Sequence, residues 1–484
     1  MYSSLKENID YLKRETSSSA DFTVREFTLG GSQSCAVLTT EGMCEKEVLA
    51  TSVINPLLGC ECGAKRGEEL FRFLFDSVLS ASEVIEVKSF DEVFSFMMSG
   101  FAVLAVDGSA RMAAVGVQGY SFRGVTEPES ELVQRGSREG FTEAMRVNMT
   151  LIRRRMKTPK LIFETFTVGS ESKTQLAICY LGNKATPSSV EEIRRRIRAC
   201  DIKTVLGSGY LVPYLEDSGK NEIFTGVGIT ERPDTLCGKI TEGRIGIIVD
   251  GTPSVLVMPH LFVENFQSVD DYSNRPYFAT LVRILKYISY FAAILFPAVY
   301  IAFVTFHPEY IPEVLLKNIN DSIEHTPLPL TLEVLMIDFI YEIMREAGLR
   351  LPKVLGHAVS IVGALVIGDC AINAGLIGAP TLMAVAVAAI CSYVIPDLYP
   401  QITIMRLSFI VAAGVLGIWG ITMLSLVVLI YMCSKSTLGV NYISPITPFS
   451  KEFMRDVFVR MGWKKLSGYD MNVYALKGGS KYEK

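Results

Sequence analysis

The chain has 484 residues, long enough for more than one domain, with 20% charged residues and a formal net charge of −4. It presents no basic face suited to nucleic acid, and its polar N-terminus, MYSSLKENIDYLKRETSSS, has no apolar core of the kind a secretory signal needs. Apolar residues concentrate in the second half. The expected fold is therefore an α/β cytosolic N-terminal half of two small subdomains, followed by an α-helical multi-span membrane domain.

Residues 1–20 read as a flexible or peripheral N-terminus. Subdomain 1 is expected over 21–120 and subdomain 2 over 121–275. In the first, apolar positions at helical spacing (Leu70, Phe71, Leu74, Phe75, Val78, Leu79) predict a helix over 69–80, and a second helix follows over 89–99. Two apolar runs, 101–106 and 113–117, flank Asp107-Gly108, a strong hairpin signal. A similar unit recurs where 244–249 and 255–258 flank Asp250-Gly251. The offset, 250 − 107 = 143, is shared by Gly100 and Gly243, as a duplicated α/β subdomain would produce. Strands are predicted over 161–168 and 175–181, and a helix over 188–199 with Ser188 or Ser189 as its cap.

The charged linker 121–156 joins the two subdomains. A helix over 140–155 would crowd Arg135, Arg138, Glu139, Glu143 and Arg146 on one side. Such a face is either a solvated surface with (i, i+4) pairs or a cytosolic contact with another subunit. No nucleophile–base pair, phosphate loop or nucleotide-binding pattern accompanies it. The four histidines have no ligand neighbour at i+3 or i+4, and Cys60-Glu61-Cys62 is too close for a structural zinc site. The expectation is no metal, no cofactor and no enzymatic activity, with the ten cysteines reduced.

The membrane domain is expected over 276–434, with full spans at 287–306, 355–374, 380–396 and 407–433. Arg283 and Lys286 precede the first span, and acids dominate the segment after it, so that helix should run outward from the cytosol. The segment 435–484 has an excess of Lys and Arg and reads as a cytosolic basic tail, which requires an even number of spans. Residues 331–347 form an amphipathic helix whose polar stripe is Asp338, Glu342, Arg345 and Glu346. The stripe faces either the interface, a pore or a partner, and a fifth span here is the rival topology.

Residues 354–396 are the centre of this half: about two hydrocarbon thicknesses of helix with one formal charge, Asp369, and a Gly/Pro break over 375–380. Val362, Val366 and Asp369 are spaced i, i+4, i+7 and share a face, while Ser360, Gly363 and Gly368 allow close helix approach. Asp369 either caps the turn at the membrane edge or lies near the mouth of a pore lined by Val362, Val366, Gly363 and Ser360, where valines gate by dewetting and the acid attracts cations. One such helix encloses nothing, so a pore requires a homo-oligomer.

Several motifs together resemble a known family. Arg123-Gly-Val-Thr-Glu-Pro-Glu, Arg135-Gly-Ser-Arg-Glu-Gly-Phe-Thr-Glu, Asn148-Met-Thr-Leu-Ile-Arg-Arg-Arg and Glu231-Arg-Pro-Asp are similar to the A subunits of the GerA-family spore germinant receptors. So are Tyr300-Ile-Ala-Phe-Val-Thr-Phe-His, Met344-Arg-Glu-Ala-Gly-Leu-Arg-Leu-Pro and Ser360-Ile-Val-Gly-Ala-Leu-Val-Ile-Gly. The resemblance, over about 65–465, implies a multi-pass protein of the bacterial spore inner membrane with its N-terminal half on the core side. It implies assembly with a transporter-like B subunit that senses the nutrient and with a C-subunit lipoprotein. It also implies a nutrient-gated channel, oligomerising within membrane lipid, that releases monovalent cations and starts germination. Two other readings stand beside this one: an A-type paralogue that amplifies germination in response to released ions, and a non-conducting scaffold.

Overall fold

The computed structural model describes the chain except residues 18, 31–32, 61, 64, 120–127, 129–130, 218–221, 325, 352–367, 467, 469–470 and 477–484. The chain divides into two compact units. One comprises 1–260 with 436–441 and the residues from 467 on, and the other comprises 261–435 with 442–466.

The first unit contains two five-stranded sheets built on one plan. The first copy runs α1 (Leu5–Glu15), β1 (Phe22–Leu29), β2 (Gln33–Thr40), α2 (Gly67–Phe73), β3 (Val84–Val87), α3 (Phe90–Met97), β4 (Phe101–Val106) and β5 (Met112–Gly116). The second runs α4 (Met145–Arg155), β6 (Leu161–Val168), β7 (Thr174–Leu181), α5 (Pro187–Arg198), β8 (Gly228–Thr230), α6 (Pro233–Thr241), β9 (Ile245–Val249) and β10 (Val255–Met258). The strand orders correspond: β1-β2-β4-β5-β3 and β6-β7-β9-β10-β8. So do the registers, with Cys35 opposite Val106 in one sheet and Leu176 opposite Val249 in the other. The repeat is thus wider than its two hairpins suggest, since all five strands of each sheet take part in it.

The shared Asp-Gly pairs explain part of this. Gly108 and Gly251 take φ of +86° and +88°, and Gly100 and Gly243 take +89° and +91°, a region that disfavours any side chain. The aspartates reach beyond the hairpin. Asp107 Oδ1 accepts the Leu5 N–H at 2.9 Å and Asp250 Oδ1 accepts the Met145 N–H at 3.0 Å. Each carboxylate caps the first amide of a helix distant in sequence, one of the donors a helix start leaves unpaired.

Residues 1–20 are therefore not a loose terminus. Leu5, Ile9 and Leu12 of α1 are buried with Val93, Phe94 and Met97 of α3 on one face of the first sheet. The helix is polar overall, and only the spacing of these three residues reveals its buried stripe. Leu12→Ala should destabilise the protein by about 2–5 kcal/mol. Thermal unfolding of the full chain checks this, and an unchanged midpoint would remove α1 from the core.

Three local expectations change. The helix read over 140–155 begins only at Met145. The helix predicted over 69–80 is α2, which widens into a π-helical turn over Leu74–Val78. The α5 helix starts from Thr186 with Pro187 in its first turn, and no side chain caps it, because proline's fixed φ already suits that position.

The second unit is helical: α7 (Pro276–Phe306), α8 (Glu313–Ile323), α9 (Leu330–Arg350), α10 (Ala379–Tyr393) and α11 (Tyr399–Ser434). Among the described residues two helices, Pro276–Phe306 and the one running to Ser434, are long and apolar enough to cross a membrane, and α10 is a shorter apolar helix. The α11 helix breaks at Gly417, where φ is +60° and ψ −137°. Most of the predicted span 355–374 lies outside the described residues. The basic segment after Ser434 is more than a tail. Its hairpin β11 (Ser436–Thr437) and β12 (Val440–Asn441) puts Leu438 into the core of the second sheet, and Tyr442 is buried within the helical unit against Phe262.

Candidate functional site

Much of the polar stripe on α9 turns inward. Asp338 and, on α11, Arg406 are both 0% exposed, and Arg406 Nε lies 2.8 Å from Asp338 Oδ1. This is an ion contact between two fully buried side chains. The bonded partner is Glu342, whose Oε1 accepts from Arg406 Nη2 at 2.7 Å, from Tyr399 Oη at 2.7 Å and from Thr403 Oγ1 at 3.2 Å. Arg345 lies over the Tyr399 ring, 3.2 Å from its centroid, and 3.7 Å from Glu342. Two acids and two arginines thus balance in an apolar setting, which removes the largest penalty for burying them. Glu346 is exposed and pairs with Arg350 one turn on.

A second buried network surrounds Arg283, near the start of α7. Its Nε donates to Asp271 Oδ2 at 2.7 Å, and its Nη1 donates to the side chain and carbonyl of Asp456 at 2.8 and 2.6 Å. Tyr272 Oη also donates to Asp456, at 2.6 Å, and the Tyr272 ring lies 5.7 Å from the Arg283 guanidinium and 5.8 Å from that of Arg460. Arg283 therefore belongs to a network that draws the C-terminal segment against the first long helix.

Sequence reasoning did not find Arg406 or Asp456. The available signal was a stripe of three acids on α9 with one arginine, which implies a counter-cation on another apolar helix, and Arg406 opens the longest such stretch.

Asp369 is exposed within a helical stretch that Gly375, at φ +66°, brings to an end. Val362, Val366, Gly363 and Ser360 lie outside the described residues. In the linker, Arg135, Arg138 and Glu139 precede the helix, so the one-sided crowd does not form. Glu139 pairs with Arg155 at 2.6 Å, the Glu143 carbonyl accepts the Gly251 N–H, and Arg146 pairs with Glu41. The neighbouring Arg153, not singled out from sequence, is buried. It donates through Nε to Asp21 at 2.9 Å and through Nη2 to the Leu161 carbonyl at 3.0 Å, joining the two sheets.

Among the described residues no group of three or more His, Cys, Asp or Glu side chains is placed to hold a metal ion. Cys60 and Cys62 are 3.5 Å apart at sulfur. Burial pushes the Cys44 and Cys237 thiols up to about 12, which keeps them protonated and poorly nucleophilic at neutral pH.

The family model for the Bacillus/Clostridium GerA spore germination protein matches residues 10–469. The chain belongs to the GerA family of spore germination proteins. It is 38% identical to spore germination protein KA of Bacillus subtilis (strain 168) over 467 residues, covering 95% of this chain and 85% of that one. It is 32% identical to spore germination protein GerLA of Bacillus cereus, covering 94% and 93%. Among solved structures, the N-terminal domain of the A subunit of the Bacillus megaterium germinant receptor GerK3 is similar at 29% identity and a TM-score of 0.42, covering 54% of this chain and 97% of that one.

Proposed function

We propose that this chain is the channel-forming A subunit of a nutrient-gated spore germinant receptor. Copies of it assemble in the spore inner membrane with a transporter-like B subunit and a C-subunit lipoprotein, and the N-terminal half lies on the core side. Nutrient binding elsewhere in the complex separates the helices that carry Val362 and Val366, and monovalent cations leave. Asp369 lies near one mouth of that path, and the remaining charges of the α9 stripe and the linker face neighbouring subunits.

One observation carries this reading: a family match along nearly the whole chain that includes the apolar helices. Those helices hold balanced ion networks within one protomer. Such networks suit a bundle that keeps its own shape while a separate helix lines the path.

Val362→Ala removes a gate residue, so vesicles containing the full-length chain should release potassium without any nutrient, and spores carrying the variant should germinate early. A channel with a hydrophobic constriction opens when that constriction becomes wider or wetter. If the variant is as tight as the parent chain, the valine face is not the gate. If the reconstituted complex passes no ions in any state, the channel reading falls in favour of a scaffold.

A further inference from the structure

The α7 helix is longer than a hydrocarbon layer requires. Its 31 residues extend about 46 Å, the thickness of a bilayer with its headgroups included. Its uncharged stretch starts at Tyr287, so the turns before it fall at headgroup depth. Those turns have two faces. Ala279 and Arg283 are buried, whereas Tyr277, 71% exposed, Phe278 and Leu281 are turned outward.

The C-terminal segment lies along the same turns. Phe458 packs against Tyr287, with ring centroids 4.8 Å apart. The Arg460 N–H donates to Thr280 Oγ1 at 3.1 Å, and a methyl group on Gly462 would lie 3.9 Å from Pro276 Cγ. The segment thus follows α7 from the edge of the uncharged stretch back to the first residue of the helix. Its inward charges are engaged: Asp456 by Arg283 and Tyr272, and Arg460 by the Tyr272 and Trp463 rings, at 5.8 and 5.1 Å. Its outward side chains are of two kinds. Phe458, Val459 and Trp463 are exposed apolar groups, Trp463 at 59%, and Lys464 and Lys465 beside them are exposed cations. Arg275, just before Pro276, is another exposed cation, and residues 457–466 contain no acid.

Three features identify what covers this surface. Its apolar side chains continue the exposed face of a helix long enough to cross a bilayer. Tryptophan, with an apolar ring and one N–H, suits the headgroup layer. The outward charge is lysine, which protein–protein contacts disfavour and anionic lipid attracts.

We propose that residues 458–465 and the first turns of α7 form a docking surface for anionic phospholipid. Phe458 and Val459 enter the edge of the acyl layer, Trp463 lies at the glycerol level, and Lys464, Lys465 and Arg275 meet lipid phosphate. The proposal rests on the reading of the helical unit as membrane-embedded, and adds which lipid it selects and which segment selects it. The segment expected from sequence to be a cytosolic tail is then a membrane-surface anchor, held in place by the Arg283–Asp456 network.

Tryptophan fluorescence tests this, because the chain has two tryptophans, Trp463 here and Trp419 within α11. The full-length chain carrying Trp419→Phe is reconstituted in vesicles of phosphatidylcholine and phosphatidylglycerol, with a spin label high on the acyl chain of one lipid or the other. Both labelled lipids should quench Trp463, phosphatidylglycerol more strongly, and aqueous iodide should quench it weakly. A lysine at the surface favours anionic lipid about fivefold, so Lys464→Gln and Lys465→Gln should each lower the preference by about that factor, and added salt should lower it too. Both side chains are exposed, so the variants should fold as the parent does. If iodide reaches Trp463 and labelled lipid does not, the segment faces water. If neither reaches it, protein covers it, as in a contact between copies. Either result overturns the proposal, and so does equal quenching by the two lipids that the lysine variants leave unchanged. The companion variant Trp463→Phe tests the membrane reading separately: a label deep in the acyl chain should quench Trp419, and if it does not, that reading has failed as well.

Discussion

Arg406→Met should destabilise the helical unit by about 3–5 kcal/mol, the usual consequence of removing one partner from a buried ion pair. The substitution nearly preserves side-chain volume, so packing contributes little. It leaves Asp338, 0% exposed, without its counter-cation, while Glu342 keeps Tyr399 and Thr403. Neutralising the stranded acid should recover most of the loss. The double variant Arg406→Met with Asp338→Leu should approach the parent, because a well-packed apolar pair can match a buried ion pair. Thermal unfolding of the purified full-length chain and its level in membranes measure both variants. An Arg406→Met protein as stable as the parent would mean that α9 and α11 are not joined here.

The second large effect is expected at Arg283. Arg283→Met leaves Asp271 and Asp456 facing each other across an emptied site, at a similar cost of about 3–5 kcal/mol. The two acids are not equally exposed to the change. Asp271 keeps the Ser268 hydroxyl at 3.0 Å as part of a helix-start box, whereas Asp456 keeps Tyr272 Oη at 2.6 Å and lies in the C-terminal segment. Release should therefore begin at that segment. Limited proteolysis of the variant should cut within 442–466 well before the parent is cut. Asp456→Asn keeps an acceptor for Tyr272 and Arg283, and should be cut more slowly than Arg283→Met. Equal cutting of the three proteins would show that the network does not hold the segment.

What could be read from the sequence follows from how local each signal is. The α/β character of the first half comes from short-range patterns, and the Asp107-Gly108 and Asp250-Gly251 pairs point to a repeat. Their carboxylates act across about a hundred residues, on Leu5 and Met145, and no window around either pair shows that. The α1 helix was missed because three apolar residues in a charged helix look like surface until a sheet is placed beneath them. In the helical half, the stripe on α9 was legible as one polar face. Its counter-charge, Arg406, lies 68 residues from Asp338 (406 − 338) and looks like a helix-end residue when only composition is considered. Glu333 reads as an isolated acid in an apolar helix, because its partner is a backbone amide, which leaves no mark in any sequence.

The proposed function requires that Val362 and Val366, predicted to share a helix face, line water shared by several copies of the chain. Thiol accessibility tests it most directly. With Cys370, Cys391 and Cys433 replaced by serine, a cysteine is placed at Val362 or Val366, or at Ala364, which lies about 200° round a helix from Val362. Reconstituted complexes are then treated with a charged, membrane-impermeant thiol reagent while ion efflux is recorded. Modification and block of efflux at 362 and 366, with neither at 364, is the result expected. Sites 362 and 366 that stay unreactive, with efflux unchanged, would place that face against lipid or packed protein and contradict the account.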